Sequence, residues 1–89
     1  MTAISFSEHF IRKQKKLARK KPEITPVLLE RFLLFNNDKN YSSLKLHKLT
    51  GNLKDHWAFS IQPDLRIIFR YTEDLNILVI DIGSHDDVY

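Results

Sequence analysis

The spacing of hydrophobic residues predicts two helices in the first part of the chain. Residues 2–6 alternate enough for a short strand, and Ser5-Phe6-Ser7-Glu8 has the spacing of a capping box that opens a helix. This helix is predicted to run to about Lys20, with one apolar stripe and a basic remainder, and to end before Pro22. Thr25-Pro26 predicts the N-cap and first position of a second helix. Its wide apolar face comprises Leu28, Leu29, Phe32, Leu33 and Phe35.

A two-residue period marks the second part of the chain and predicts strands. After a polar connection at residues 38–43, residues 44–49 alternate and are predicted to be extended, with Lys45 and His47 on the face without leucines. Residues 57–62 and 66–72 show the same period on either side of a tight turn at Pro63-Asp64. Residues 75–82 form a nearly continuous apolar run, typical of a central strand buried on both faces.

These elements predict one α+β domain over residues 1–89. The expected order is β-α-α followed by an antiparallel β meander, in two layers, with the helices packed on one face of the sheet. In the strand at residues 66–72, Arg66 and Arg70 share a face with Ile68, opposite Ile67 and Phe69. Because two cations on one strand face are unfavourable in a core, we expect that face to be available for a ligand.

Composition narrows the function and the partners. The 89 residues contain no cysteine, which excludes disulfide and thiolate chemistry, and the sequence offers no signal peptide or membrane-spanning run. We therefore expect a cytoplasmic protein with no membrane partner. Residues 1–50 carry eleven Lys/Arg against four Asp/Glu (+7), whereas residues 51–89 carry three against seven (−4). The basic part indicates an anionic partner, either nucleic acid or an acidic protein segment, unless these lysines simply form a solvated helix face.

Several polar residues of the second part suit metal-free cleavage of RNA. That reaction needs a base for the 2′-hydroxyl, a cation for the phosphorane and an acid for the departing 5′-oxygen. His85 is a candidate acid, and Arg66 could bind the phosphate or pair with a carboxylate. His47 could be the general base or could hold a loop by a hydrogen bond. Asp64 could take part in the reaction or could cap the backbone of its turn. Tyr89 could stack on an RNA base or lie on the core. No metal site and no cofactor are indicated.

Three segments also carry a family resemblance. The segments are His47-x-Leu49-x-Gly51, residues 64–69 (Asp-Leu-Arg-Ile-Ile-Phe) and residues 82–89 (Ile-Gly-Ser-His-Asp-Asp-Val-Tyr). With the element order, they resemble the RelE/ParE toxin superfamily, nearest its YafQ-type branch. The chain departs from the YafQ-type pattern at Ser60, where the pattern has histidine, and at Leu65, where it has tryptophan.

The resemblance implies a toxin of a type II toxin-antitoxin system with a RelE-like fold. Such a toxin is a metal-independent, ribosome-dependent endoribonuclease that cuts mRNA in the decoding site and is neutralised by an acidic antitoxin. By position, His47, Asp64 and His85 match catalytic residues, Tyr89 matches the terminal aromatic, and Arg66 is similar to the phosphate-stabilising arginine of RelE-like relatives. The basic residues expected to contact mRNA or ribosomal RNA are Lys13, Lys16, Lys20, Lys45, Lys48 and Arg70. The alternatives are a ParE-like inhibitor of DNA gyrase, a non-catalytic antitoxin-binding member, and a generic RNA-binding module.

Overall fold

The computed structural model describes residues 3–84 and Val88. Two helices, α1 (Glu8–Lys20) and α2 (Ile24–Asn37), pack on a five-stranded sheet. The strands are β1 (Ile4–Phe6), β2 (His47–Lys48), β3 (Trp57–Gln62), β4 (Leu65–Tyr71) and β5 (Ile77–Gly83), in the spatial order β1-β5-β4-β3-β2. β1 pairs parallel to β5, and the other pairs are antiparallel. The predicted two-layer α+β fold is thus confirmed.

Both helices begin at residues other than the predicted ones. Ser7, rather than Ser5, is the N-cap of α1, and its hydroxyl oxygen accepts a hydrogen bond from the Phe10 amide at 3.1 Å. Ser7 also binds the backbone of β5, because its amide donates to the Val79 carbonyl at 2.9 Å. α2 begins two residues before Pro26 and has no side-chain cap. Pro26 fits the first turn because amides there lack partners within the helix.

The connection between α2 and the meander is less extended than predicted. Only His47 and Lys48 pair as a strand, whereas Ser42–Leu44 forms a short 3-10 helix. Lys45 has a left-handed backbone (φ 52°), so the expected alternation from residue 44 to residue 49 does not hold. Leu75, which was predicted to begin the last strand, instead lies in a turn with φ 62°, and β5 begins at Ile77.

The main core lies between the helices and one face of the sheet. Phe35 of α2 stacks on Phe59 of β3 with ring centroids 4.5 Å apart, and Phe69 of β4 completes this group. The wide apolar face predicted for α2 is buried only in part, because the side chains of Leu29 and Leu33 are 62% and 61% exposed. The hydrophobic pattern is therefore wider than the surface that the sheet covers.

The opposite face of the sheet, which we call the open face, carries a second and smaller core. Buried Leu49, Ala58 and Ile68 pack there with three half-buried side chains: Leu53, Ile80 and Val88. This cluster extends from Leu49, next to β2, to Ile80 of β5, so the expected ligand surface is smaller than a bare sheet. No helix in the described part of the chain is long and apolar enough to span a membrane.

Candidate functional site

Arg66 lies in the centre of a row of residues that crosses three strands. It pairs with Ser60 of β3 on one side and with Gly83 of β5 on the other. Paired residues point to the same face of a sheet, so the half-buried Arg66 lies on the open face between a serine and a residue without a side chain. A guanidinium at this position can offer its planar fork to a phosphate.

His47 lies on the same face, near the edge of the sheet. It pairs with Ala58, which in turn pairs with Ile68, two residues along β4 from Arg66. Two strand spacings and two residues place the Cα atoms of His47 and Arg66 about 12 Å apart. Two long side chains can approach a single phosphodiester group from opposite sides at that separation.

The ring of His47 is oriented by a hydrogen bond to its own backbone region. Its Nδ1 lies 2.9 Å from the Lys45 carbonyl oxygen. Because a carbonyl oxygen can only accept, Nδ1 carries the hydrogen, and in the neutral ring Nε2 is then the nitrogen with the lone pair. This tautomer is compatible with a general base, and the same hydrogen bond is the one expected if His47 holds the loop.

Asp64 is exposed in the turn between β3 and β4. Its side chain lines a cavity of about 440 Å³ between that turn, the end of β5 and the basic side of α1. Only Leu65, which also lines the cavity, lies between Asp64 and Arg66 in the sequence. Asp64 is thus close to lysines as well as to the row that contains Arg66.

His85 and Tyr89 lie outside the described residues, and so their predicted roles stay predictions. The residues that flank them are described. Gly83 pairs with Arg66, Ser84 follows it, and the Val88 amide donates to the Ser84 carbonyl at 3.1 Å. Val88 packs in the small core of the open face. The chain therefore leaves β5 beside Arg66 and returns to the face that also carries His47.

The six basic residues expected to contact RNA do not form one surface. Lys13, Lys16 and Lys20 line the cavity with Asp64, whereas Lys45 lines another depression beside Pro63. Arg70 is exposed on the open face. Lys48 pairs with Trp57, which contacts the main core, and so Lys48 points to the helix side of the sheet.

Sequence reasoning missed two polar residues that position these elements. Asp81 lies in a bulge of β5, since Ile68 pairs with Asp81 while Phe69 pairs with Val79. One Asp81 carboxylate oxygen is 2.8 Å from Nζ of Lys13 and 3.2 Å from Nε2 of His9. His9 and Lys13 of α1 therefore share one carboxylate oxygen of β5. The signal was present, because Asp81 is the single charged residue of an otherwise apolar strand.

Arg31 of α2 is the second missed residue. Its guanidinium donates to the Ser43 carbonyl at 2.8 Å and to the Ser60 carbonyl at 3.2 Å. It thereby fixes the 3-10 helix before β2 to the strand that carries Ser60. Among residues 3–84 and Val88, no three His, Asp or Glu side chains converge in the manner of a metal site.

Comparisons with a family model and with solved structures give matches along almost the whole chain. The family model described as "Bacterial toxin of type II toxin-antitoxin system, YafQ" matches residues 2–89. A comparison with curated protein sequences gives no match.

Solved structures show the same fold along almost the whole chain. YafQ from E. coli strain BL21(DE3) is 21% identical, with a TM-score of 0.81 and coverage of 100% of this chain and 99% of that one. The E. coli DinJ-YafQ complex is 22% identical, with a TM-score of 0.79 and the same coverage of the two chains. A YoeB/ParE toxin from Agrobacterium tumefaciens is 13% identical, with a TM-score of 0.76 and coverage of 94% of this chain and 99% of that one.

Proposed function

The chain belongs to the YafQ family of toxins from bacterial type II toxin-antitoxin systems, within the RelE/ParE superfamily, and on this premise we propose that it is an mRNA endoribonuclease. In this proposal it cuts mRNA in the ribosomal decoding site without a metal, in the cytoplasm. The observation that carries the proposal is the placement of Arg66 and His47 on one face of the sheet, beside the strand end that leads to His85.

The reaction begins at the 2′-hydroxyl group of the nucleotide before the cut. Nε2 of His47 removes its proton, and the 2′-oxygen attacks the adjacent phosphorus. Arg66 stabilises the negative charge that develops on the phosphorane oxygens. His85 donates a proton to the 5′-oxygen as its bond to phosphorus breaks. The products are a 2′,3′-cyclic phosphate and a free 5′-hydroxyl group.

The other proposed residues support this reaction without transferring a proton. Tyr89 stacks on a base, and Asp64 orients the residues or the RNA around the turn. Ser60 occupies the position where the YafQ-type pattern has histidine, beside Arg66 in the sheet. A hydroxyl group there can donate a hydrogen bond but, unlike an imidazole, does not titrate near neutral pH and is a poor general acid or base, so the charge of Arg66 carries more of the stabilisation.

The partner proposed for control of this activity is an acidic antitoxin. A related toxin of this fold was solved in a DinJ-YafQ complex, and residues 1–50 of this chain have a net charge of +7, from eleven basic and four acidic residues. Acidic segments of such a partner would compete with mRNA and ribosomal RNA for the same lysines. Lys13, Lys16, Lys20, Lys45, Lys48 and Arg70 are proposed to provide the RNA contacts.

Primer extension on mRNA from cells that briefly express the chain tests the proposal. We expect new ends within translated codons with the unmodified protein, and their loss with His85→Ala, His47→Gln or Arg66→Gln, since proton transfer and charge stabilisation each contribute about 10²- to 10³-fold. Sequencing of the new ends should detect cyclic phosphates.

His56→Gln is the matched control for His47→Gln. The Nδ1 of His56 contacts the Lys54 carbonyl at 3.2 Å, which is the same local arrangement. His56 lies four residues before Ser60, whereas His47 pairs with Ala58, two residues before Ser60, so His56 is further from the row of Arg66. Cleavage should survive this substitution. Growth arrest without new ends, equal for the unmodified chain and His85→Ala, would refute the nuclease and favour a gyrase inhibitor, which a DNA supercoiling assay would then test.

A further inference from the structure

The cavity beside Asp64 has an apolar floor and a basic rim. Leu17, Leu65 and Ile82 form the floor, and all three contact the main core. Lysines 13, 16, 20 and 21 form the rim. At about 440 Å³ it falls within the range of small-molecule sites. We call it the lysine cavity.

Three of the rim lysines form no ion pair with the residues that the structure describes. Lys13 pairs with Asp81 at 2.8 Å. Within the described residues, Lys16, Lys20 and Lys21 have no carboxylate within 4.0 Å that forms an ion pair. Among the described residues of the lining, Asp64 is the single acidic one, so Lys16, Lys20 and Lys21 share one carboxylate once Lys13 is paired with Asp81. Such a concentration of like charge beside apolar surface is stabilised by binding an anion.

The lining also connects the cavity to the proposed cleavage site. Asp64 belongs to the proposed catalytic set, and Ser84 directly precedes His85. RNA whose scissile phosphate lies on Arg66 would therefore reach the cavity by crossing the turn between β3 and β4. An apolar floor with a cationic rim matches a nucleotide, whose sugar and base can lie on leucine side chains while its phosphate meets lysines.

We propose that the lysine cavity is a subsite for a nucleotide that neighbours the cleaved phosphodiester, with its phosphate on Lys16, Lys20 and Lys21 and its sugar or base on Leu17 and Leu65. This inference rests on the proposed function, because it takes RNA as the ligand. It assigns Lys21 and the two leucines to substrate binding, and it separates Lys16 and Lys20 from lysines that contribute only to the general field of α1.

The binding of a short single-stranded RNA tests the subsite. The probe is a pentanucleotide with 2′-O-methyl groups, which the proposed reaction cannot cut because it lacks the attacking hydroxyl. For single-stranded RNA, each phosphate contact makes the slope of log K against log salt concentration steeper by about 0.7. At 0.15 M salt, one such contact raises the affinity roughly fourfold relative to 1 M salt. Lys16→Gln and Lys20→Gln should each weaken RNA binding by about this factor and make the slope shallower by about 0.7.

Lys15→Gln is the matched control. It removes the same charge from the neighbouring position of α1, but Lys15 is exposed and does not line the cavity. We expect its affinity and salt slope to equal those of the unmodified chain. In ¹⁵N NMR spectra, the RNA should shift the amide signals of Leu17, Leu65 and Ser84. Equal effects of Lys15→Gln and Lys16→Gln, or shifts confined to the open face, would overturn the subsite.

A glutamate-rich peptide provides the competing occupant. If the peptide shifts the amides of the lysine cavity and the RNA does not, the cavity binds acidic protein and the inference fails. Failure of the proposed function has a different signature, since the modified RNA reports binding without cleavage. If the RNA binds in the cavity but no new mRNA ends appear in cells, the nuclease proposal alone is refuted. If new mRNA ends appear but Lys16→Gln and Lys20→Gln bind RNA as well as the unmodified chain does, the subsite alone is refuted.

Discussion

The ion pair between Lys13 and Asp81 allows a quantitative test of how α1 is held against the site. The two charged atoms are 2.8 Å apart, and the side chains are 26% and 21% exposed. At an effective dielectric constant of about 20, two unit charges at this distance attract by about 6 kcal/mol, and removing both groups from water offsets most of that. Hydrogen bonds to charged groups typically retain about 1.5–3 kcal/mol.

Asp81→Asn should therefore lower the free energy of unfolding by about 2 kcal/mol. The substitution keeps the shape of the side chain and removes its charge beside Lys13 and His9. For a domain of this size such a loss lowers Tm by about 8–16 °C. Urea unfolding followed by the fluorescence of the single tryptophan, Trp57, measures the change.

Glu8→Gln gives the internal comparison. Glu8 and Arg12 form an i,i+4 ion pair on the same helix at 3.9 Å, and their side chains are 93% and 73% exposed. Losing this exposed pair should lower the free energy of unfolding by less than about 0.5 kcal/mol. A double-mutant cycle with Lys13→Gln and Asp81→Asn should give a coupling energy of about 1–2 kcal/mol. A coupling near zero, or an Asp81→Asn effect as small as that of Glu8→Gln, would refute the role of the pair.

Four further substitutions test the packing and the backbone. Phe59→Ala should cost about 3–5 kcal/mol because its ring is 1% exposed, whereas Leu29→Ala, at 62% exposure, should cost less than about 1 kcal/mol; urea unfolding compares them. Arg31→Gln removes donors to the Ser43 and Ser60 carbonyls, so it should cost about 1–3 kcal/mol and accelerate amide hydrogen exchange after residue 43. Leu75→Gly should raise stability by about 0.5–1 kcal/mol, since Leu75 has φ 62° and is 74% exposed; a lower Tm would contradict this relief of strain.

The meander and the face of Arg66 could be predicted because their signals are local. Trp57, Phe59 and Ile61 follow a strict two-residue period, and such a period fixes which side of a strand faces the core. The same alternation on β4 placed Arg66 and Ile68 opposite the helices, as the structure has them. The family resemblance rested on the same segments, and the family model matches residues 2–89.

Features that depend on distant partners could not be predicted. The N-cap of α1 is Ser7 rather than Ser5 because Ser7 also binds the backbone of β5. The hydroxyl group of Ser7 donates a hydrogen bond to the carbonyl of Ile80, which is 73 residues away in the sequence. The exposure of Leu29 depends on how much of α2 the sheet covers. In the site, the tautomer of His47 depends on the left-handed turn at Lys45, and the roles of His85 and Tyr89 remain predictions.

The parallel pairing of β1 with β5 also sets when this toxin can become active during its own synthesis. The amide of Ile77 donates to the Ala3 carbonyl, and the hydroxyl of Ser7 binds a carbonyl 73 residues later. At translation rates of about 5–20 residues per second, the first strand waits roughly 4–15 s for its partner. The row of Ser60, Arg66 and Gly83 is completed by that same last strand. A nascent chain therefore has neither its final sheet nor its proposed phosphate site until β5 has been synthesised.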